Sequence, residues 1–277
     1  MTLHDRPPLT IAVAWNGSHP MAALLARSAS CAFVAEVLIA PAHQQAELAA
    51  KALASTNPKV RVLPGGDSGI YNAWNKLIDA AATPYLVFHG ADDLLLDSAA
   101  AAQTLHTAAQ QPDGPMLVFT AQVVDRKGQP HSTVHHDETA GRWSLGRGLS
   151  PLTPEVVYPV HALRSCKGVD ETFRIAGDAD LYFRVRPNVQ RVDLATTLVE
   201  MTDGGASATA RHAWTVFCEN RRIAKRYQQA VPARVVLAAW AFLGLRHQLY
   251  RLGGEAFAAR WTDRLRGLVG RQPRYSR

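Results

Sequence analysis

Two adjacent carboxylates, Asp92 and Asp93, close the stretch that most limits what this chain can fold into. The stretch starts at Gly66 and holds a glycine-flanked turn, a helical pattern, a proline stop and a short apolar run. Ile70, Ala73, Trp74, Leu77, Ile78 and Ala81 recur at helical spacing, which predicts a helix over 70–81 with one apolar and one polar face. Ser68 is the expected N-cap, and Gly69 lets the backbone come close to an anion at the free amides of the helix start. Thr83-Pro84 ends the helix, and Tyr85-Leu86-Val87-Phe88-His89 is too short and too apolar for anything but a buried strand. Asp92 and Asp93 therefore stand at the carboxyl end of a buried strand, where an open α/β sheet presents its ligands. That is the layout of a metal and diphosphate site. The residues alone also allow a plainer arrangement, in which one aspartate caps the next helix, from about Asp97, and the other is solvated.

The chain around this stretch alternates in the same way. Leu9–Trp15 and Phe33–Ala40 read as buried strands, residues 19–29 and 42–55 as helices, and Val60–Leu63 as a short strand. Strands joined by crossover helices make a mostly parallel central sheet flanked by helices. Pro115–Val124 reads as a further strand, with Gly128-Gln129 as the turn of a hairpin, and residues 135–155 as a long loop. His135-His136-Asp137-Glu138 lies in that loop and reads as solvated, since adjacent histidines on an extended chain point to opposite sides. His4, His19 and His43 have no partners at ligand spacing, and Tyr71 and Trp74 read as core and pocket wall.

The string Gly66-Asp67-Ser68-Gly69-Ile70-Tyr71-Asn72-Ala73-Trp74-Asn75-Lys76, followed by a strand and Ala91-Asp92-Asp93, resembles the sugar-nucleotide half of family 2 glycosyltransferases of the GT-A fold. Glu171–Arg184 resembles the family's segment with the catalytic base, and Met201–Ser207 its Gly-Gly-x-Ser segment. Together the matches cover roughly residues 9–207. The resemblance implies a Rossmann-like GT-A domain over 1–210 and a metal-dependent, inverting transfer from a nucleoside diphosphate sugar to a hydroxyl. The acceptor would be a glycolipid or polysaccharide intermediate at the cytoplasmic face of the inner membrane. It implies Mn²⁺ or Mg²⁺ on Asp93 and Asp92, with Asp92 also a candidate for the ribose. Donor contacts would come from Asp67, Asn75, Lys76, Gly204, Gly205 and Ser207. Asp178 would be the general base, with Asp180 ranked behind it, and the long loop would border the acceptor. Against these matches stand three departures. Ala40–Gln45 replaces the family's acidic turn for the nucleobase, Thr153-Pro154 stands where members have His-Gln, and Gly90 leaves the metal to Asp92 and Asp93.

At 277 residues and 47% hydrophobic, the chain has enough apolar surface for one large core, with or without an appendage. Cys31, Cys166 and Cys218 lie far apart with no paired spacing, so a reducing compartment fits best, and the N-terminus lacks the apolar core of a signal peptide. The net charge of +7 is unevenly spread: residues 211–277 hold 14 Lys or Arg against Glu219, Glu255 and Asp263, and the chain before them is slightly acidic. No nucleic-acid-binding motif accompanies the charge, so nucleic acid is not the expected partner. Residues 231–252 read as an apolar helix with basic flanks and Trp240 and Tyr250, a composition suited to an anionic bilayer surface and equally to packing on the domain. The basic helical tail thus spans 211–277. Two rivals to the transferase reading remain. A nucleotidyltransferase is disfavoured by Trp15–Pro20, which lacks a glycine-rich loop, and a non-catalytic sugar-nucleotide-binding or membrane-associated scaffold would show binding without turnover.

Overall fold

The computed structural model describes residues 7–124, 129–134, 150–202 and 205–268. They fall into two compact units. One holds Ser150–Thr172, Asp180–Thr202 and the described chain before Ser150; the other holds Phe173–Ala179 and the described chain after Thr202.

The first unit is built on one mixed sheet. β1 (Leu9–Trp15), β2 (Val34–Pro41), β3 (Val60–Val62) and β4 (Tyr85–Phe88) pair in parallel and are linked by α1 (Ala22–Ser30), α2 (Gln44–Ala54) and α3 (Ile70–Ala80). Their unbroken apolar runs suit strands covered on both faces: Leu9, Ile11, Ala12, Val13, Leu86 and Val87 have no solvent exposure. Burying each of the larger ones stabilises the fold by about 1.5–3 kcal/mol. α3 turns Tyr71, Ala73, Trp74, Leu77 and Ile78 inward, and the Trp74 ring stacks on Phe88 with 3.9 Å between centroids. Ile70, at the first position of the helix, is exposed.

Ser68 does not cap α3. Gly69 holds that position with φ 146°, and Asp67 Oδ1 accepts from the Gly69 N–H at 3.1 Å, so an aspartate two residues back closes the turn instead. The next helix, α4 (Ala99–Ala109), is capped by Ser98, whose Oγ accepts from Ala101 N–H at 3.3 Å. Neither Asp92 nor Asp93 holds that N-cap position.

Beyond β4 the sheet changes direction. β6 (Met116–Val124) is flanked by β8 (Val156–Pro159), antiparallel to both β4 and β6, and by β9 (Arg191–Thr202), parallel to β6. β5 (Leu94–Leu95) lies antiparallel on β9, and β7 (Pro130–Val134) completes the expected hairpin with β6. α5 (Val160–Ser165) and α6 (Gly177–Val185) follow β8 along the chain. A single helical turn at Thr153–Glu155 precedes β8. There Leu152 N–H donates to Glu155 Oε2 at 2.7 Å, and burial pushes the Glu155 carboxyl up to about 8. The segment His135-His136-Asp137-Glu138 and most of the expected long loop lie outside the described residues.

The strand order is β3-β2-β1-β4-β8-β6-β9-β5. The chain leaves β1 for β2 on one side and returns to β4 on the other, so the order reverses between β1 and β4. A crevice at such a reversal opens at the carboxyl ends of the strands.

In the second unit α7 (Ala213–Arg226) packs on α8 (Ala233–Leu268), which extends past the expected 231–252 helix and is broken into two segments by Gly254 at φ 75°. Glu219 of α7 accepts from the N–H groups of Arg174, Ile175 and Ala176 at 2.7, 3.0 and 2.8 Å. The Arg222 guanidinium lies 4.3 Å over the Phe173 ring.

Candidate functional site

The loops after β1 and β4 meet at the strand-order reversal. After β4 the chain turns through Gly90, whose N–H donates to Asp93 Oδ2 at 2.8 Å while Asp93 N–H reaches Gly90 O at 3.4 Å. A Cβ placed on Gly90 would lie 2.9 Å from Asp93 Oδ2 and 3.1 Å from Asp92 Oδ1. Both carboxylates therefore converge over a position that only a missing side chain leaves open. Asp93 is buried at 6% exposure, whereas the Asp92 side chain is 40% exposed. Burial pushes the Asp93 carboxyl up to about 7; the Gly90 N–H opposes the rise and the Asp92 charge adds to it.

These groups fit a hard divalent cation. Two convergent carboxylates, one buried and one open to solvent, match the way Mg²⁺ or Mn²⁺ is held by one or two carboxylates with phosphate oxygens and water in the remaining positions. A cation there would also offset the burial and the Asp92 charge that raise Asp93. Among the described residues no three His, Cys, Asp or Glu side chains gather at ligand spacing.

The loop after β1 was not legible as part of the site. His19 Nδ1 lies 3.9 Å from Asp92 Oδ2 although the two are far apart in sequence, and Trp15 Nε1 fixes the turn by donating to His19 O at 2.9 Å. His43 caps α2: its Nδ1 accepts from Ala46 N–H at 3.1 Å, which leaves Nε2 to donate to Asn16 O at 3.1 Å. His43 thus ties the β1 loop to the start of α2. His89, one residue before Gly90, is buried with no hydrogen-bond partner on either ring nitrogen among the described residues, and burial pushes it down to about 4.

At the start of α3, Lys76 Nζ donates to Gly66 O at 3.0 Å and Asp67 closes the turn at Gly69, so both shape the loop before the helix's free amides. Asn75 turns its amide toward the chain at 169–171: Nδ2 donates to Val169 O at 3.0 Å and to Glu171 Oε1 at 2.8 Å, and Oδ1 accepts from Val169 N–H at 2.7 Å. Asp180 is fully buried and accepts from Arg184 Nε at 2.8 Å. Asp178, the second residue of α6, is half-buried. Gly205 and Ser207 are exposed, at and beside a single helical turn, Ala206–Ala208, and Gly204 lies outside the described residues. Asp178, Gly205 and Ser207 belong to the second unit, and Asp67, Asn75, Lys76, Asp92 and Asp93 to the first.

No protein-family model matches the chain, and no curated protein matches it in sequence. Solved structures do match it in shape. S. aureus TarS, residues 1–349 with UDP, superposes with a TM-score of 0.53 at 14% identity over 80% of this chain and 70% of its own. The mannosyltransferase PcManGT from Pyrobaculum calidifontis, with GDP-Man and Mn²⁺, gives 0.55 at 16% identity over 97% of this chain and 82% of its own. The chain has a GT-A glycosyltransferase fold. TarS with UDP-GlcNAc gives 0.55 at 15% identity over 78% of this chain and 66% of its own. Within this glycosyltransferase fold, the Asp92-Asp93 turn occupies the strand-order reversal.

Proposed function

We propose that the protein is an inverting, metal-dependent glycosyltransferase of family 2. It moves a sugar from a nucleoside diphosphate donor to a hydroxyl on a lipid-linked glycan or polysaccharide intermediate, on the cytoplasmic side of the membrane. The observation that carries this reading is the convergence of Asp92 and Asp93 over Gly90 at the strand-order reversal. The complexes of similar folds with UDP, UDP-GlcNAc and GDP-Man support the donor class. When bound, a divalent cation neutralises the charge that develops on the leaving diphosphate.

Asp93, pre-set by the Gly90 N–H, and Asp92, open to solvent, hold that cation. Asp67 and Lys76 fix the turn that aims the first amides of α3 at a donor oxygen, and Asn75 acts by holding Val169 and Glu171 in place. Gly205 and Ser207 supply further donor contacts, a role the resemblance also gives Gly204. Asp178 takes the proton of the acceptor hydroxyl as its oxygen attacks the anomeric carbon; the new bond forms opposite the breaking bond to diphosphate, which inverts the centre.

Purified protein given UDP- and GDP-sugars with Mn²⁺ should release nucleoside diphosphate slowly by hydrolysis. Release should stop with a chelator and in Asp93→Ala. Release indifferent to both would refute the metal reading, and donor binding without release would favour a non-catalytic scaffold.

A further inference from the structure

A helix on the surface of a soluble domain ordinarily turns its large apolar residues inward and its charges outward. The first segment of α8, before Gly254, does otherwise. Ala239 and Arg246 are its buried residues, and Arg246 Nη2 donates inward to Ala208 O at 2.9 Å. Leu237, Trp240, Leu245 and Leu252 are 65%, 52%, 45% and 79% exposed on the opposite face. Single exposed leucines are common on proteins, but four large apolar side chains share this one helical face, where Gln248 also lies. Arg234 and Arg251 are exposed on the same stripe, near its two ends.

Glu219, Glu255 and Asp263, the acids on α7 and α8, are held by backbone N–H groups or buried, although Glu255 stays exposed. No Asp or Glu occurs between Glu219 and Glu255. Glu219 is taken up by Arg174, Ile175 and Ala176, and Glu255 by the N–H groups of Ala210 and Arg211 at 2.7 and 3.2 Å. Asp263 is buried. Beyond Gly254 the helix repeats the same composition, with Trp261 and Leu268 exposed and the Arg264 guanidinium 5.0 Å over the Trp261 ring.

We propose that the outer face of α8 docks in the plane of an anionic lipid surface. Its leucines and Trp240 enter the region between headgroups and acyl chains, and Arg234 and Arg251 meet the phosphates. Among the described residues no helix is long and apolar enough to cross a bilayer, which fits a helix lying in the interface. Charge selects this occupant over a second copy of the chain. A twofold contact sets the same stripe against itself, which brings arginines toward arginines on a stripe that carries no acid of its own. Exposed leucines likewise gain nothing from nucleic-acid phosphates. The proposal does not depend on sugar transfer, and its test needs no turnover.

The test is flotation of the full-length protein with vesicles of phosphatidylcholine alone and of phosphatidylcholine mixed with phosphatidylglycerol. Binding is expected only to the mixed vesicles and should weaken with added salt. Removing both arginines (Arg234→Gln with Arg251→Gln) should weaken it about thirtyfold, at ~1 kcal/mol for each charge near the surface. Leu237→Ser with Trp240→Ser should abolish it at unchanged circular dichroism and unchanged nucleotide binding. Equal binding by the serine variant overturns the proposal. So does wild-type protein that ignores both vesicles, whether it self-associates through the stripe or is retained on RNA instead.

Discussion

Gly90→Ala isolates the geometry of the two carboxylates from the stability of the fold. Gly90 does not have the positive φ that would exclude a side chain, so alanine can adopt its backbone conformation. The new Cβ would meet Asp93 Oδ2 at 2.9 Å and Asp92 Oδ1 at 3.1 Å, closer than ordinary carbon–oxygen contact. Relief requires the Asp93 oxygen to shift by about half an ångström, beyond the ~0.2 Å within which metal–ligand distances normally fall. The loss should resemble that of an outer-shell partner, about 10- to 100-fold in metal-dependent affinity, or roughly 1.4–2.7 kcal/mol. Stability should change by less than about 1 kcal/mol, a few degrees in Tm at most, because the nearest atoms are side-chain carboxylate ends and not backbone. Titration calorimetry of UDP and GDP at saturating Mn²⁺, alongside thermal unfolding, measures both quantities. Gly114→Ala is the opposite control: its Cβ would overlap the Tyr85 hydroxyl, which donates to Pro115 O at 3.0 Å in the core, so Tm should fall while nucleotide affinity holds in the folded fraction. Unchanged metal-dependent affinity in Gly90→Ala would refute the convergent-carboxylate site.

Asp178→Asn should keep donor binding and lower turnover about a hundredfold or more, read by initial rates at saturating donor; near wild-type rates would make Asp178 a helix-start residue only. Glu155 gives a pH effect of definite sign. Its folded carboxyl is raised to about 8 from an ordinary 4.5, so its proton is bound more tightly in the folded state. The contribution is complete below 4.5 and is lost as pH rises toward 8, at up to roughly 1.4 kcal/mol for each pH unit crossed. Urea unfolding across that range should show this slope in wild type and a flatter one in Glu155→Gln; identical slopes would contradict it. Gly168→Ala should destabilise by at least about 1–3 kcal/mol, since φ there is 65° and a Cβ would overlap Asn75 Oδ1. An unchanged Tm would count against the Asn75 brace.

The parallel half of the sheet was readable because its strands are short apolar runs between helical patterns: β1 begins at Leu9 and ends at Trp15 as the sequence alone suggests. The hairpin of β6 and β7 followed from local turn chemistry in the same way. β8 and β9 left little local mark. β9 has mostly half-buried positions and carries Arg191, Asp193 and Glu200, so neither strict alternation nor a continuous apolar run identifies it. It owes its place to pairing with β6, and that register is irregular around Thr120. Asp92 and Asp93 were visible as a pair at a strand end. His19 was not, because its approach to Asp92 depends on β1 lying beside β4, which no spacing within the sequence encodes. Ser68 misled for a local reason: Gly69 takes the N-cap position, and Asp67 closes the turn before it.

The three amides gathered by Glu219 bear on where the chain can be cut. Arg174 is exposed and water can replace its acceptor, but Ala176 is buried, and an N–H left there without a partner costs about 1–3 kcal/mol. A fragment ending before α7 discards the carboxylate that holds the chain leading into Gly177 and Asp178. One ending near Gln229 keeps it while shedding the whole of α8. The smallest fragment that retains this anchor is therefore longer than the sheet and its crossover helices, and the basic tail divides into one helix that steadies the approach to Asp178 and another whose exposed face is available for other contacts.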